Sequence, residues 1–208
     1  MKLIDLKLSE YLDVLSSDAP APGGGSVSAL AGAQGAALVA MVCDLTTSKK
    51  KYADEHEYCA QIKEEAVALY EELAASIDRD TDAFNLIAAA FKMPKETPDE
   101  KALRKKAIAD GTLEATKVPF SVMGYAFEGL KLADRLQGHF NTNCASDLGV
   151  GVQNFITCMK GAWLNVKINL PGVKDEAFAA QCEEEGKKMP TEGEEIAARL
   201  FAEIEESL

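Results

Sequence analysis

The chain has 208 residues and a formal net charge of −12. Because no linker rich in Ser, Gly or Pro divides it, we predict one domain over residues 1–208, with an acidic helical tail from about 175 to 208. The excess of acidic residues argues against nucleic acid as a partner. The five cysteines are widely spaced and form no CxxC pair, and the sequence shows no signal peptide, so we predict reduced thiols and a cytoplasmic location. The two histidines stand alone, so we predict no metal site.

All strong periodicities in the sequence are helical, and no segment alternates like a β-strand, so we predict an all-α helical bundle. A short first helix is expected from Leu8 to Ser17. The run PAPGGGS follows at residues 20–26, and a second helix is expected from Ser26 to about Ser48, with no charge before Asp44.

The glycine-rich run is a candidate binding loop. Gly23, Gly24, Gly25 and Ser26 place exposed backbone N–H groups beside a helix N-terminus, which suits an anion, a carbonyl or a developing oxyanion. The alternative is a flexible turn before a helix, and these residues alone favour neither interpretation.

The uncharged run from Ala19 to Cys43 is long enough to pose the question of a membrane span. It is built mainly of Ala, Gly and Ser and is broken by proline and glycine, so we expect the central helix of a bundle and no membrane partner. Gly32 and Gly35 should let neighbouring helices approach closely.

A very long helix is expected between Tyr52 and Met93, since no proline or glycine occurs there; it would span ~60 Å at 1.5 Å per residue and end at Pro94. With the helix that follows, it should form a long central hairpin. Asp80 is out of place on its apolar face, because a buried carboxylate needs a cation, hydrogen-bond donors or a ligand. That face contains Ile62, Ala66, Leu69, Leu73, Ile77, Asp80, Phe84, Ile87 and Phe91.

A capping box marks the start of the next helix, with Thr97 as N-cap and Glu100 reaching back. We expect this helix to bend or restart at Pro119 and to end near Gln137.

Ser146 should then cap another mostly apolar helix that ends before Pro171. Two shorter helices are expected in the tail, the second opened by a capping box from Thr191 to Glu194.

Several polar residues in this part of the chain are candidates for function. Asp147 follows Ser146 in a first helical turn, where it could simply complement the helix dipole. Asn165 and Asn169 are four residues apart and so share a helix face among apolar neighbours. Lys49 and Lys50 could stabilise the negative end of the central helix or hold an anionic ligand.

Six segments in this order and spacing closely resemble the formiminotransferase-cyclodeaminase family, in its cyclodeaminase domain, which is similar to stand-alone bacterial methenyltetrahydrofolate cyclohydrolases. They are APGGGSVSAL, MVCDLTTSKKKY, DRDTDAF, MPKETPDEK, SDLGV and NVKINLPG. The resemblance runs from about Leu6 to Phe178. It departs at Ser48, where the family more often has glycine, and no segment resembles the formiminotransferase half.

The resemblance implies an all-helical homodimer that binds a tetrahydrofolate without a metal or redox cofactor. We expect the matching positions to line one folate pocket. These are Gly23, Gly24, Gly25, Ser26, Lys49, Lys50, Asp80, Asn141, Ser146, Asp147, Asn165 and Asn169.

Two reactions of the family fit, and both pass through a tetrahedral carbon between N5 and N10. The first and favoured is cyclodeamination of 5-formiminotetrahydrofolate; the second is hydrolysis of 5,10-methenyltetrahydrofolate. We expect Asp147 to be the main acid/base group, Asp80 to face the cationic amidinium or share the proton, and Lys50 to hold a glutamate carboxylate or position the base. A non-catalytic helical dimerisation module is the rival interpretation.

Overall fold

The computed structural model describes residues 2–208, and these form helices joined by short turns, without a strand. The predicted all-α class is therefore confirmed. The α-helices are α1 (Leu8–Leu15), α2 (Gly24–Thr47), α3 (His56–Phe91), α4 (Pro98–Leu136), α5 (Ala145–Asn169) and α6 (Glu176–Ser207). Short 3-10 turns cover Leu3–Asp5, Lys50–Glu55, Thr142–Cys144 and Leu170–Gly172.

Helix α2 lies at the centre, packed between α3 and α5. Its small residues allow this, as the sequence predicts. A Cβ on Gly32 would meet Leu73 of α3 at 2.9 Å and Cys158 of α5 at 2.7 Å. A Cβ on Gly35 would lie 3.0 Å from the carbonyl oxygen of Gly151. Larger side chains at these two positions would force the three helices apart.

Among the described residues, α2 is the one helix with the length and hydropathy of a membrane span. However, 61% of its most apolar window is buried inside the bundle. This burial agrees with a core helix. All five cysteines are free and buried as well.

Helix α3 follows the predicted apolar stripe only as far as Asp80. Ile62 and Ile77 are almost fully buried, whereas Phe84 and Phe91 are 37% and 57% exposed. Asp80 therefore stands where the stripe leaves the core. The helix also begins at His56 rather than Tyr52, because Tyr52 has non-helical backbone angles within the preceding 3-10 turn.

The capping box at the start of α4 is confirmed. The backbone N–H of Glu100 donates to Thr97 Oγ1 at 3.2 Å, and that of Thr97 donates to Glu100 Oε2 at 2.9 Å.

The predicted restart at Pro119 does not occur, because α4 runs through it without interruption. A proline has no N–H, so the carbonyl of Ala115, four residues earlier, loses its helical donor. Asn169 of α5 replaces that donor, with Nδ2 at 2.9 Å from the Ala115 oxygen. The side chain of Asn169, fifty residues after Pro119, thus supplies the hydrogen bond that the proline cannot donate.

The tail is also one helix rather than two, since α6 continues through Pro190. Thr191 does not cap a new helix there. Its hydroxyl donates to the Lys187 carbonyl at 2.9 Å, which is a bond within the helix.

Candidate active site

The glycine loop begins α2 and meets α3 and α5 at one end of the bundle. We call this the glycine end: Gly23, Gly24, Gly25 and Ser26 with Asp80 and Asn165. Gly23 is the extended N-cap residue, and the N–H groups of Gly24 and Gly25 belong to the first helical turn, where no intrahelical acceptor is available.

Gly25 allows the carboxylate of Asp80 to lie against the start of α2. A Cβ at Gly25 would overlap Oδ1 and Cγ of Asp80 and would lie 2.6 Å from Oδ2. A Cβ on Gly24 would make an ordinary 3.5 Å contact with Asn165 Nδ2, and one on Gly23 would meet nothing within 4 Å. Only the third glycine is therefore required by its contact with the carboxylate.

Asp80 satisfies its need for partners with hydrogen bonds. Ser26 Oγ lies 3.2 Å from Asp80 Oδ2 and 2.8 Å from the carbonyl of Ile77. Within residues 2–208, no lysine or arginine forms an ion pair with Asp80. Burial raises the pKa of Asp80 above the ordinary value of an aspartate, and hydrogen bonds from the side chain and backbone of Ser26 oppose that shift. A carboxyl group whose pKa is raised above its ordinary value is better suited to take up and release a proton than an ordinary aspartate.

The two asparagines of α5 have different roles at this end. Asn165 Nδ2 bonds to the carbonyl of Gly161 in its own helix, which leaves its amide group beside Gly24. The Asn169 side chain donates to the Ala115 carbonyl of α4 and to the Asn165 carbonyl. Asn165 is therefore placed to contact a ligand, whereas Asn169 supports the structure behind it.

The other predicted residues gather at the far end of α2. We call this the lysine end: Lys49, Lys50, Asn141, Ser146 and Asp147. Lys49 and Lys50 are exposed just beyond the end of α2, and Asp147 is half-buried in the first turn of α5. Burial and the charge of Asp147 raise the pKa of Cys144, and the charge of Lys49 opposes the shift. Asp147 and Lys49 are therefore both near Cys144.

Asn141 is buried and occupied by the fold. Its backbone N–H donates to Thr46 Oγ1 at 2.9 Å, and its side chain accepts a bond from Asn143. It thus fixes the loop against the end of α2. Ser146 is not the cap of α5, because Cys144 holds the N-cap position; its side chain is exposed instead.

The two ends lie far apart in one chain. Helix α2 has 24 residues between them, which corresponds to ~35 Å at 1.5 Å per residue. The expectation that all matching positions line one pocket is therefore wrong for a single chain. Periodicity places residues on a face of a helix but does not say which end of the bundle their neighbours occupy.

Two residues at the glycine end are missing from the sequence-based set. Thr81 Oγ1 lies 3.3 Å from Ser26 Oγ; its place next to Asp80 in DRDTDAF was the available signal. Tyr11 of α1 is buried, and its hydroxyl has no hydrogen-bond partner among the described residues. Burial and the charge of Asp80 raise its pKa. No pattern in α1 points to this residue.

No three His, Cys, Asp or Glu side chains in the described part of the chain come together in a way that could hold a metal ion. The candidate residues at the two ends of α2 are carboxylates, amides, lysines, a serine and backbone N–H groups.

Comparisons with known proteins agree with this architecture. Residues 7–188 match the family model described as formiminotransferase-cyclodeaminase. A methenyltetrahydrofolate cyclohydrolase from Methylorubrum extorquens is 36% identical over 95% of both chains. The formimidoyltransferase-cyclodeaminase of Gallus gallus is 31% identical over 98% of this chain, which spans 38% of that longer protein. The crystal structure of a formiminotetrahydrofolate cyclodeaminase from Thermotoga maritima superimposes with a TM-score of 0.86 at 26% identity and covers 98% of each chain.

Proposed function

The chain belongs to the formiminotransferase-cyclodeaminase family, and we propose that it is an enzyme that acts on the carbon between N5 and N10 of tetrahydrofolate, with formiminotetrahydrofolate cyclodeaminase as the leading activity. The observation that carries this proposal is the half-buried carboxylate of Asp80 beside the glycine loop, in a fold shared over its whole length with a cyclodeaminase. Because the named relatives are enzymes, the rival interpretation as a non-catalytic module loses its support.

The cyclodeaminase reaction makes and breaks bonds at one carbon and requires proton transfer. N10 of 5-formiminotetrahydrofolate attacks the formimino carbon, a tetrahedral carbon forms, and ammonia leaves to give the cationic 5,10-methenyl product. A proton must leave N10 and reach the departing nitrogen. The positive charge on the amidinium is stabilised by a nearby carboxylate.

A second candidate is methenyltetrahydrofolate cyclohydrolase. The 36% identity with the stand-alone Methylorubrum extorquens enzyme, over nearly the full length of both chains, favours it. In this reaction water adds to the same methenyl carbon and the ring opens to 10-formyltetrahydrofolate. The same acid/base and cation-stabilising groups serve both reactions.

We assign the roles of the two aspartates differently from the sequence-based expectation. Asp80 has the raised pKa and close hydrogen-bond donors, so we give it the proton transfer. Asp147 lies in a helical first turn with Lys49 near it, and we give it stabilisation of the cation. Asn165 and the N–H groups of the glycine loop would hold polar atoms of the pterin.

We further propose that the working site forms between two copies of the chain. A two-fold axis across the middle of α2 would bring the glycine end of one copy to the lysine end of its partner. The outer face of α2 suits such packing, because Gln34, Ala37, Met41 and Leu45 are exposed there and none is charged. Val150 on the neighbouring helix α5 is exposed too.

The reaction is tested by mixing the purified protein separately with the formimino and the methenyl substrate. A cyclodeaminase produces the methenyl chromophore together with ammonia from the first. A cyclohydrolase bleaches the chromophore of the second. If neither substrate changes, the proposed function is refuted.

The shared site is tested by mixing two inactive variants, Asp80→Asn and Lys50→Gln. In a symmetric dimer, equal mixing makes half of the dimers mixed, and each mixed dimer has one intact site, so about one quarter of wild-type activity should return. If each site were built within one chain, mixing would restore nothing. Mixing either variant with itself serves as the control.

A further inference from the structure

Within Leu8–Leu15, the whole of α1, Tyr11 is the one buried residue. Its side chain packs into the core and is 5% exposed, whereas Leu8 and Leu12 of the same helix are 67% and 51% exposed. Helix α1 therefore packs on the bundle mainly through this tyrosine. If the position only had to fill space, phenylalanine would fill it without burying a hydroxyl group.

The hydroxyl of Tyr11 is buried without a hydrogen-bond partner among residues 2–208. A buried hydroxyl without a partner destabilises a fold, because it has lost its bonds to water and gained none in return. Native proteins contain few such groups, and each of them requires an explanation. A ligand atom that completes the hydrogen bond would supply one here.

Two attachments hold α1 beside the glycine end. Before the helix, the backbone N–H of Leu3 donates to Oδ1 of Asp78, two residues ahead of Asp80, at 2.6 Å. After the helix, the chain enters α2 at Gly24. Burial and the charge of Asp80 raise the pKa of Tyr11, so the two side chains are close enough to interact and the phenol keeps its proton at neutral pH. Tyr11 is therefore a neutral hydrogen-bond donor near the carboxylate.

We propose that the Tyr11 hydroxyl donates a hydrogen bond to an acceptor atom of the bound substrate, a carbonyl oxygen or an unprotonated nitrogen. The proposal rests on the proposed function, which supplies a substrate that carries both kinds of atom. The N–H groups of Gly24 and Gly25 are further donors at the start of α2, so the ligand would be held from both α1 and α2. Without ligand the unpaired hydroxyl lowers the stability of the protein, and binding recovers that free energy as affinity. Tyr11 is a binding residue in this assignment, and the proton transfer stays with Asp80.

The variant Tyr11→Phe separates a binding role from a structural one, because the two roles predict different changes in stability. If the hydroxyl is reserved for the ligand, its removal should shift the denaturant midpoint of the free protein upward. An unchanged or lower midpoint would show that the hydroxyl is satisfied within the protein and would overturn the proposal. Tyr125→Phe is the matched control, since the Tyr125 hydroxyl also lies near a carboxylate but bonds to it, at 3.4 Å from Glu72 Oε2. This control should gain no stability and should bind ligand like wild type.

Binding is measured by calorimetry with 5-formyltetrahydrofolate, a stable compound in which a formyl group replaces the formimino group on N5. Loss of one neutral hydrogen bond should weaken its binding to Tyr11→Phe about three- to tenfold. The KM of the substrate should rise by a similar factor, while kcat should change by less than about twofold, because the hydroxyl contacts no reacting atom. Equal affinity of wild type and Tyr11→Phe for the probe would refute the contact. A wild type that does not bind the probe would refute it as well.

The same measurements distinguish this contact from the proposed reaction. If wild type turns over neither folate substrate but binds the probe, and Tyr11→Phe binds it more weakly, the reaction fails and the contact stands. If wild type turns over a substrate and Tyr11→Phe keeps both the KM and the affinity of wild type, the contact fails and the reaction stands.

Discussion

Replacing Gly25 by alanine tests whether the position of Asp80 controls the reaction. The new Cβ would overlap Oδ1 and Cγ of Asp80 and would lie 2.6 Å from Oδ2. Because non-bonded atoms reach their best separation near ~3.5 Å, the carboxylate has to move by about 1 Å or more. A catalytic group misplaced by that distance can cost ~100-fold in rate, which corresponds to about 2.7 kcal/mol of transition-state stabilisation.

The variant should lose about 100-fold in kcat/KM, measured from the methenyl chromophore. Its free energy of unfolding should fall by about 1–3 kcal/mol, as is typical of an overpacked contact. Gly124→Ala is the matched control: it makes the same substitution within a helix, and its Cβ would meet nothing within 4 Å. It should keep full activity and gain slightly in stability.

The cause is separated from a general effect on the helix by a double-mutant cycle. In an Asp80→Ala background the overlapping carboxylate is absent, so Gly25→Ala should no longer destabilise the protein. A Gly25→Ala variant that keeps kcat/KM within twofold of wild type would refute the argument. So would an equal loss of stability with and without the Asp80 carboxylate.

Three other features of the structure can be tested in the same way. First, burial raises the pKa of Asp80, so the folded state binds its proton more tightly than the unfolded state and loses stability as the pH rises from the ordinary aspartate range. Asp80→Asn should therefore be more stable than wild type near neutral pH, and the difference should vanish below pH ~4. Denaturant unfolding that gave the same difference in stability at every pH would contradict this prediction. Second, Asn169→Leu should lower the free energy of unfolding by about 1–3 kcal/mol, because the Ala115 carbonyl loses its donor; the loss should be smaller in a Pro119→Ala background, where the backbone N–H returns. Equal losses of stability in the two backgrounds, measured by thermal unfolding, would show that the Asn169 hydrogen bond is not the reason. Third, Ala37→Glu should separate the proposed dimer and abolish activity, although residue 37 is ~15–20 Å from either end of α2; light scattering that shows unchanged mass with full activity would count against the shared site.

The sequence predicts the helices well where the signal is local. Thr97 and Glu100 sit three residues apart and cap α4 as expected. Gly32 and Gly35 allow close helix packing, also as expected. The position of Asp80 on an apolar face correctly marks a carboxylate that needs partners.

At Pro119 a distant residue changes the local outcome. Pro119 should interrupt α4, but Asn169 supplies the missing donor from another helix. Pro190 likewise fails to divide the tail. A prediction from sequence weighs each proline against its neighbours in the chain, and the compensating group here is fifty residues away.

The sequence suggests candidate site residues but does not predict how the fold distributes them. Motif resemblance brought together Asp80 and Asp147, which the fold places at opposite ends of α2. A resemblance between sequences reports which residues serve a function and carries no information on whether they come from one chain. Only the length of α2, once the helix is seen to be unbroken, shows that the two groups cannot meet within a single copy.

The composition of α2 acquires a physical explanation from this separation. A helix that only filled the core would need small residues toward α3 and α5, and its outer face could carry charge. Yet Gln34, Ala37, Met41 and Leu45 are exposed, and none of them is charged. Charges begin at Asp44, which is paired with Lys63 at 2.7 Å. An uncharged outer face between two polar ends is what a helix requires if it packs against its own copy and brings one end to the partner's other end.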